Sequence, residues 1–167
     1  MQVVFYISGA IAVLATVLML TKLNAVHALL YLVVSLLAIA VVFYVLGAAL
    51  AAALEVIIYA GAIMVLFVFV VMLLNLGETA AIEERNLLTG SMWIGPAILS
   101  AVLIAEFVYI LSEESHGNLT APVEPKQVAA ALYAPYLIGV ELASMLLLAG
   151  IVGAYHLGWR KVRKGDS

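Results

Sequence analysis

Leu54-Glu55-Val56-Ile57-Ile58-Tyr59-Ala60-Gly61-Ala62-Ile63-Met64-Val65-Leu66-Phe67-Val68-Phe69-Val70-Val71-Met72-Leu73-Leu74-Asn75 carries one carboxylate and then no charge until Glu78. A run of this length and apolarity spans the hydrocarbon of a bilayer, which takes about 20 such residues. It therefore decides the fold class: an all-α integral membrane protein. Ala60-Gly61-Ala62 in mid-run offers small side chains that admit a close helix neighbour and ease a local break in the hydrogen-bond ladder.

The rest of the chain agrees. It has 167 residues, 67% hydrophobic and 10% charged, with a mean hydropathy of +1.24. A soluble domain is normally about half apolar. Apolar runs at about 3–21, 26–46, 51–75, 92–111 and 134–157 predict five spans in one membrane domain covering 1–167. Gly47 is the expected turn between the second and third, within a connection that holds no polar side chain and so lies at the interface or under a partner. Asn24 is placed to cap the second helix and Gly77 to end the third. The N-terminal run lacks a basic leader and a small-residue cleavage site, so it reads as a retained span. Cysteine is absent, which removes disulfides, thiolate metal sites and iron–sulfur ligation from the functions this sequence can carry.

Lys and Arg set the expected orientation, since positive loops stay cytoplasmic. With the basic tail, 158–167, inside, Arg160, Lys161, Arg163, Lys164, Lys22 and Arg85 are cytoplasmic and only Lys126 lies outside. The N-terminus is then periplasmic and the C-terminus cytoplasmic. Trp93 and Trp159 mark the inner interface, and Tyr6, Tyr44, Tyr109, Tyr133 and Tyr136 the outer one. The outer loop, 112–132, with Glu113, Glu114, Glu124, Pro122 and Pro125, reads as exposed and irregular.

Three carboxylates lie within spans, all in the outer half: Glu55, Glu106 and Glu141. An ionised acid in hydrocarbon costs roughly 2.5 to 3.5 kcal/mol on insertion scales, so each faces protein or water or is neutral. Glu55 reads as a protonatable station or a polar contact to a partner helix, with Tyr59 one turn along the same face. Glu141 suits a helix-to-helix hydrogen bond as well as proton transfer. Glu106, with Tyr109, reads as an interfacial acid. His27 and His156 read as interfacial too, and no nucleophile with its base, phosphate loop or metal constellation is present. Around Gly61, one extra residue in a helical turn, a π-bulge, rotates everything downstream by about 100°. Such a change would connect or disconnect a polar path, whereas a static glycine at a close helix crossing is the plainer reading of the same residue.

Three blocks, Asn24-Ala-Val-His-Ala-Leu-Leu-Tyr-Leu, Ala53-Leu-Glu-Val-Ile-Ile-Tyr-Ala-Gly-Ala-Ile-Met-Val-Leu-Phe-Val-Phe-Val-Val-Met-Leu-Leu-Asn-Leu-Gly77 and Val140-Glu-Leu-Ala-Ser-Met-Leu-Leu-Leu-Ala-Gly150, resemble the J-subunit (NuoJ) family of bacterial respiratory complex I, the proton-pumping NADH:quinone oxidoreductase. The resemblance runs from the N-terminus to about His156. It implies a non-catalytic, multi-pass subunit of the bacterial inner membrane with no cofactor of its own. FMN, iron–sulfur clusters, NADH and quinone would belong to other subunits. It also implies the neighbours NuoA, NuoH, NuoK and NuoN and the lateral helix of NuoL. The family's third span carries a π-bulge that converts to regular helix and is linked to the coupling of quinone chemistry to proton movement. Here the switch falls on Tyr59, Ala60, Gly61, Ala62, Ile63, Met64 and Val65, and the acid and tyrosine beside the path fall on Glu55 and Tyr59. Glu106 has no counterpart in that set. A self-standing small ion or proton transporter and a purely structural assembly subunit are the alternative readings of the same residues.

Overall fold

The computed structural model describes residues 1–74, 91–112 and 121–158. Expectations for Gly77, Arg85, Glu113, Glu114, Trp159 and the basic tail beyond Gly158 lie outside the described residues. All regular structure among the described residues is helical. Five helices are long and apolar enough to cross a membrane: Gln2–Thr21, Ala25–Val45, Ala49–Val71, Trp93–Ser112 and Leu137–Gly158. The chain divides into two compact units, Met1–Glu124 and Pro125–Ser167.

In the first unit, α1 (Gln2–Thr21) and α2 (Ala25–Val45) form a tight antiparallel pair. The reversal between them is short because Asn24 caps α2, its side-chain oxygen accepting from the His27 amide at 3.2 Å. Small residues bring the two backbones together: Ala12, Ala15 and Ala38 are buried with Ile11, Val34 and Leu103 in one cluster. Lipid tails are as apolar as these side chains, so helix association here draws on close packing and hydrogen bonds rather than on a hydrophobic drive. Both are present. The Thr16 and Ser35 hydroxyls pair at 2.9 Å, and Ser35 also donates to the Ala12 carbonyl at 3.0 Å.

Gly47 turns the chain into the third span. Its φ is +82°, a left-handed conformation that glycine adopts without steric cost. The Ala48 amide bonds to the Phe43 carbonyl and the Gly47 amide to that of Tyr44, each at 2.9 Å, which is the pair of bonds that closes a helix on a C-terminal glycine. The Val123 amide donates to the Gly47 carbonyl at 2.9 Å. The apolar connection is thus covered in part by the chain itself. The third span then runs as α3 (Ala49–Leu54), a π-helical segment (Glu55–Ile63) and α4 (Met64–Leu74). The fourth, α5 (Ser91–Ser112), packs on α1 and α2. A second cluster of Val4, Val45 and Ile110 joins these three helices.

The second unit holds α6 (Pro125–Tyr133) and α7 (Leu137–Gly158). The described part of the 112–132 stretch therefore contains a helix where an irregular segment was expected. Pro125 suits a first helical position, where its missing N–H is no loss, and Val128-Ala129-Ala130-Ala131-Leu132 favours continuation. Pro135 lies in the turn before α7, which begins at Leu137 rather than at 134.

Candidate functional site

The π-helical segment is the element on which the site is built. At its downstream end the Met64 amide is shared between the Gly61 carbonyl and the Tyr59 carbonyl five residues back, the latter being the bond that defines π geometry, while at its start the Glu55 amide still bonds to the Ala51 and Ala52 carbonyls in ordinary helical fashion. The wide turn covers Glu55 to Ile63, starting earlier than the Tyr59–Val65 stretch and leaving Met64 and Val65 in regular helix. Gly61 is the residue that fits this turn. A Cβ there would stand 3.1 Å from the Val56 carbonyl oxygen, tighter than ordinary van der Waals contact.

Glu55 opens the segment and is half-buried; Tyr59 and Val65 are exposed, and Met64, where π passes to α, is 3% exposed. Ala60 and Gly61 are half-buried, and Ala62 and Ile63 face outward. One buried methionine between outward-facing neighbours means that a change of register would have to move that side chain out of its seat. Beside the segment, a groove of about 550 Å³ lies between the face bearing Ala52, Ala53 and Val56 and the face of α5 bearing Leu103, Phe107 and Ile110.

Glu106 is not exposed at an interface. It is 7% exposed, and its Oε2 accepts a hydrogen bond of 2.6 Å from Ser8, itself fully buried on α1. Its other oxygen, Oε1, is buried and has no hydrogen-bond partner among the described residues. No direct hydrogen bond therefore joins Glu106 to Glu55, although both belong to the first unit. Glu141 belongs to the second unit, exposed on α7.

At the opposite end of α2, His27 and Tyr31 are both buried, their rings 5.2 Å apart, and the Lys22 ammonium stands 5.5 Å from the centre of the Tyr31 ring. Such a cation over an aromatic face is worth about 0.5 to 1 kcal/mol when exposed. Tyr31 lies against α5 at Gly95, where any Cβ would collide with its hydroxyl. Among the described residues no group of three His, Cys, Asp or Glu side chains is arranged to hold a metal ion.

Sequence reasoning missed Ser8, Thr16 and Ser35. The signal was available in α1, where Ser8, Ala12, Ala15 and Thr16 recur at helical spacing and mark a face of small and hydroxyl-bearing residues.

Residues 15–157 match the family described as NADH-ubiquinone/plastoquinone oxidoreductase chain 6. The chain is similar to NADH-quinone oxidoreductase subunit J of Escherichia coli strain K12, with 56% identity over 167 residues, covering 99% of this chain and 90% of that protein. It is 54% identical over 160 residues to the protein of the same name from Pseudomonas aeruginosa, covering 95% and 96% of the two chains. Against that from Buchnera aphidicola subsp. Schizaphis graminum the identity is 45% over 162 residues, covering 96% and 99%.

Proposed function

The chain belongs to the NADH-ubiquinone/plastoquinone oxidoreductase chain 6 family, as a multi-pass subunit of NADH-quinone oxidoreductase, respiratory complex I, in the bacterial inner membrane, and from that premise we propose that it couples quinone reduction to proton pumping through the register of its third span. The observation that carries the proposal is the π-helical turn from Glu55 to Ile63 inside an otherwise regular membrane helix. A wide turn is a stored register shift. Closing it to α geometry rotates the downstream half of the span by about 100° per residue taken up, which moves Met64 and the outward-facing side chains after it.

Glu55 and Tyr59 sit where that rotation begins, at spacing that keeps them on one face. In this reading they border a hydrated path whose continuity depends on the register below them. The chain supplies no catalytic residue. Electron transfer and the flavin, iron–sulfur, NADH and quinone sites lie in other subunits, and NuoA, NuoH, NuoK, NuoN and the lateral helix of NuoL cover the outward-facing spans. Exposed apolar side chains around α7, Leu142, Leu146 and Ile151 among them, support burial against such neighbours. The distribution of Lys and Arg supports a periplasmic N-terminus and a cytoplasmic C-terminus.

The test uses the assembled complex reconstituted in liposomes, with Val65→Gly in the α-helix just beyond the π turn. Glycine there weakens regular helix by roughly a few tenths of a kcal/mol relative to valine and so opposes closure of the turn. Slower quinone reduction and slower pumping with normal assembly are expected. Unchanged turnover and pumping would sink the register reading, and proton movement by the purified chain alone would favour a self-standing transporter.

A further inference from the structure

Glu106 lies outside the π turn and has its own surroundings. Its carboxyl is enclosed between α1 and α5, with Oε2 on the Ser8 hydroxyl and Oε1 buried without any hydrogen-bond partner among the described residues. A carboxylate anion spreads its charge over both oxygens and needs donors at each; one hydroxyl meets only half of that need. The cleft alongside, about 390 Å³, is lined mostly by apolar side chains, Val3, Val4, Ile7 and Val102 among them, with Glu106 itself and Tyr109 supplying polar atoms.

We propose that Glu106 and Ser8 form a dry proton-binding site within the membrane, separate from Glu55, in which the Glu106 carboxyl is held as the uncharged acid. The proton resides on Oε1 and the Ser8 hydroxyl donates to Oε2, the carbonyl oxygen of the acid. An unpartnered O–H is then left in the interior, a smaller penalty than an unpartnered anion. Besides Glu106, the ionisable groups that line this cleft or pack on the adjoining Val4, Val45 and Ile110 cluster are the Met1 amine just before α1, Tyr44 on α2 and Tyr109 on α5; Tyr6 on α1 and His27 and Tyr31 on α2 are in neither. None of them hydrogen-bonds to the free oxygen. The inference depends on α1 and α5 lying in the membrane, not on any role for the third span.

Infrared spectroscopy of the assembled complex in membranes tests it without turnover. In the difference between wild type and Glu106→Gln, loss of a neutral-acid carbonyl band is expected. Ser8→Ala should shift that band to higher frequency, because its carbonyl oxygen loses a donor. Loss of carboxylate bands instead, as an anion paired with the Met1 amine would give, overturns the proposal. If Glu106→Gln does not assemble, Ser8→Ala decides alone, and an unshifted acid carbonyl region counts against it.

Discussion

The Met64 amide donates to the Tyr59 carbonyl across five residues, so the third span passes from a wide turn to regular helix at a side chain that is itself buried. Rotation of the lower half of this span cannot leave Met64 in place. Replacing it with alanine removes a buried thioether, a change that costs about 2 to 5 kcal/mol in well-packed interiors. Met64→Ala is expected to lower the melting temperature of the detergent-solubilised complex and to slow quinone reduction. A variant with wild-type melting and turnover would show that the seat of Met64 has no bearing on register.

Gly61 tests the turn from the other side. Its Cβ position lies 3.1 Å from the Val56 carbonyl, a contact that the π turn itself creates. Gly61→Ala adds a methyl group there and favours helix over glycine by roughly 1 kcal/mol. Both effects press the segment towards α geometry. We expect assembly to be retained while quinone reduction and pumping fall several-fold, measured together in membrane vesicles. A fully active complex would mean that the turn relaxes without consequence.

Glu55→Gln separates charge from shape. Glutamine keeps the size of the side chain and its hydrogen-bonding reach but holds no exchangeable charge. If Glu55 borders the coupled path, pumping drops several-fold and Glu55→Asp restores most of it. Equal pumping by wild type and glutamine variant would leave Glu55 a structural residue.

Tyr31 and Gly95 offer a test of packing apart from function. Gly95→Ala drives a methyl group into the Tyr31 hydroxyl. Overpacking of this kind costs typically about 1 to 3 kcal/mol. Tyr31→Phe removes the oxygen in the way, so the double variant should be more stable than Gly95→Ala alone, read from melting of the complex. Simple additivity of the two changes would show that α2 and α5 do not meet at this point.

Five membrane-crossing helices, the cap at Asn24 and the turn at Gly47 were legible in the sequence, and for one physical reason. Hydrocarbon offers backbone groups no hydrogen-bond partners, so each crossing must be a continuous apolar run satisfied within itself, and its ends are marked by residues that act locally. The helical spacing of Glu55 and Tyr59 was legible too, since residues four apart on a helix lie on one face. Only the tertiary structure paired Ser8 with Glu106, 98 residues apart, seated Tyr31 against Gly95 and buried Met64 while Val65 beside it faces out. Those outcomes depend on which faces of separate helices meet. Helix association in lipid turns on close packing and hydrogen bonds between specific side chains, a relationship that no single apolar run contains.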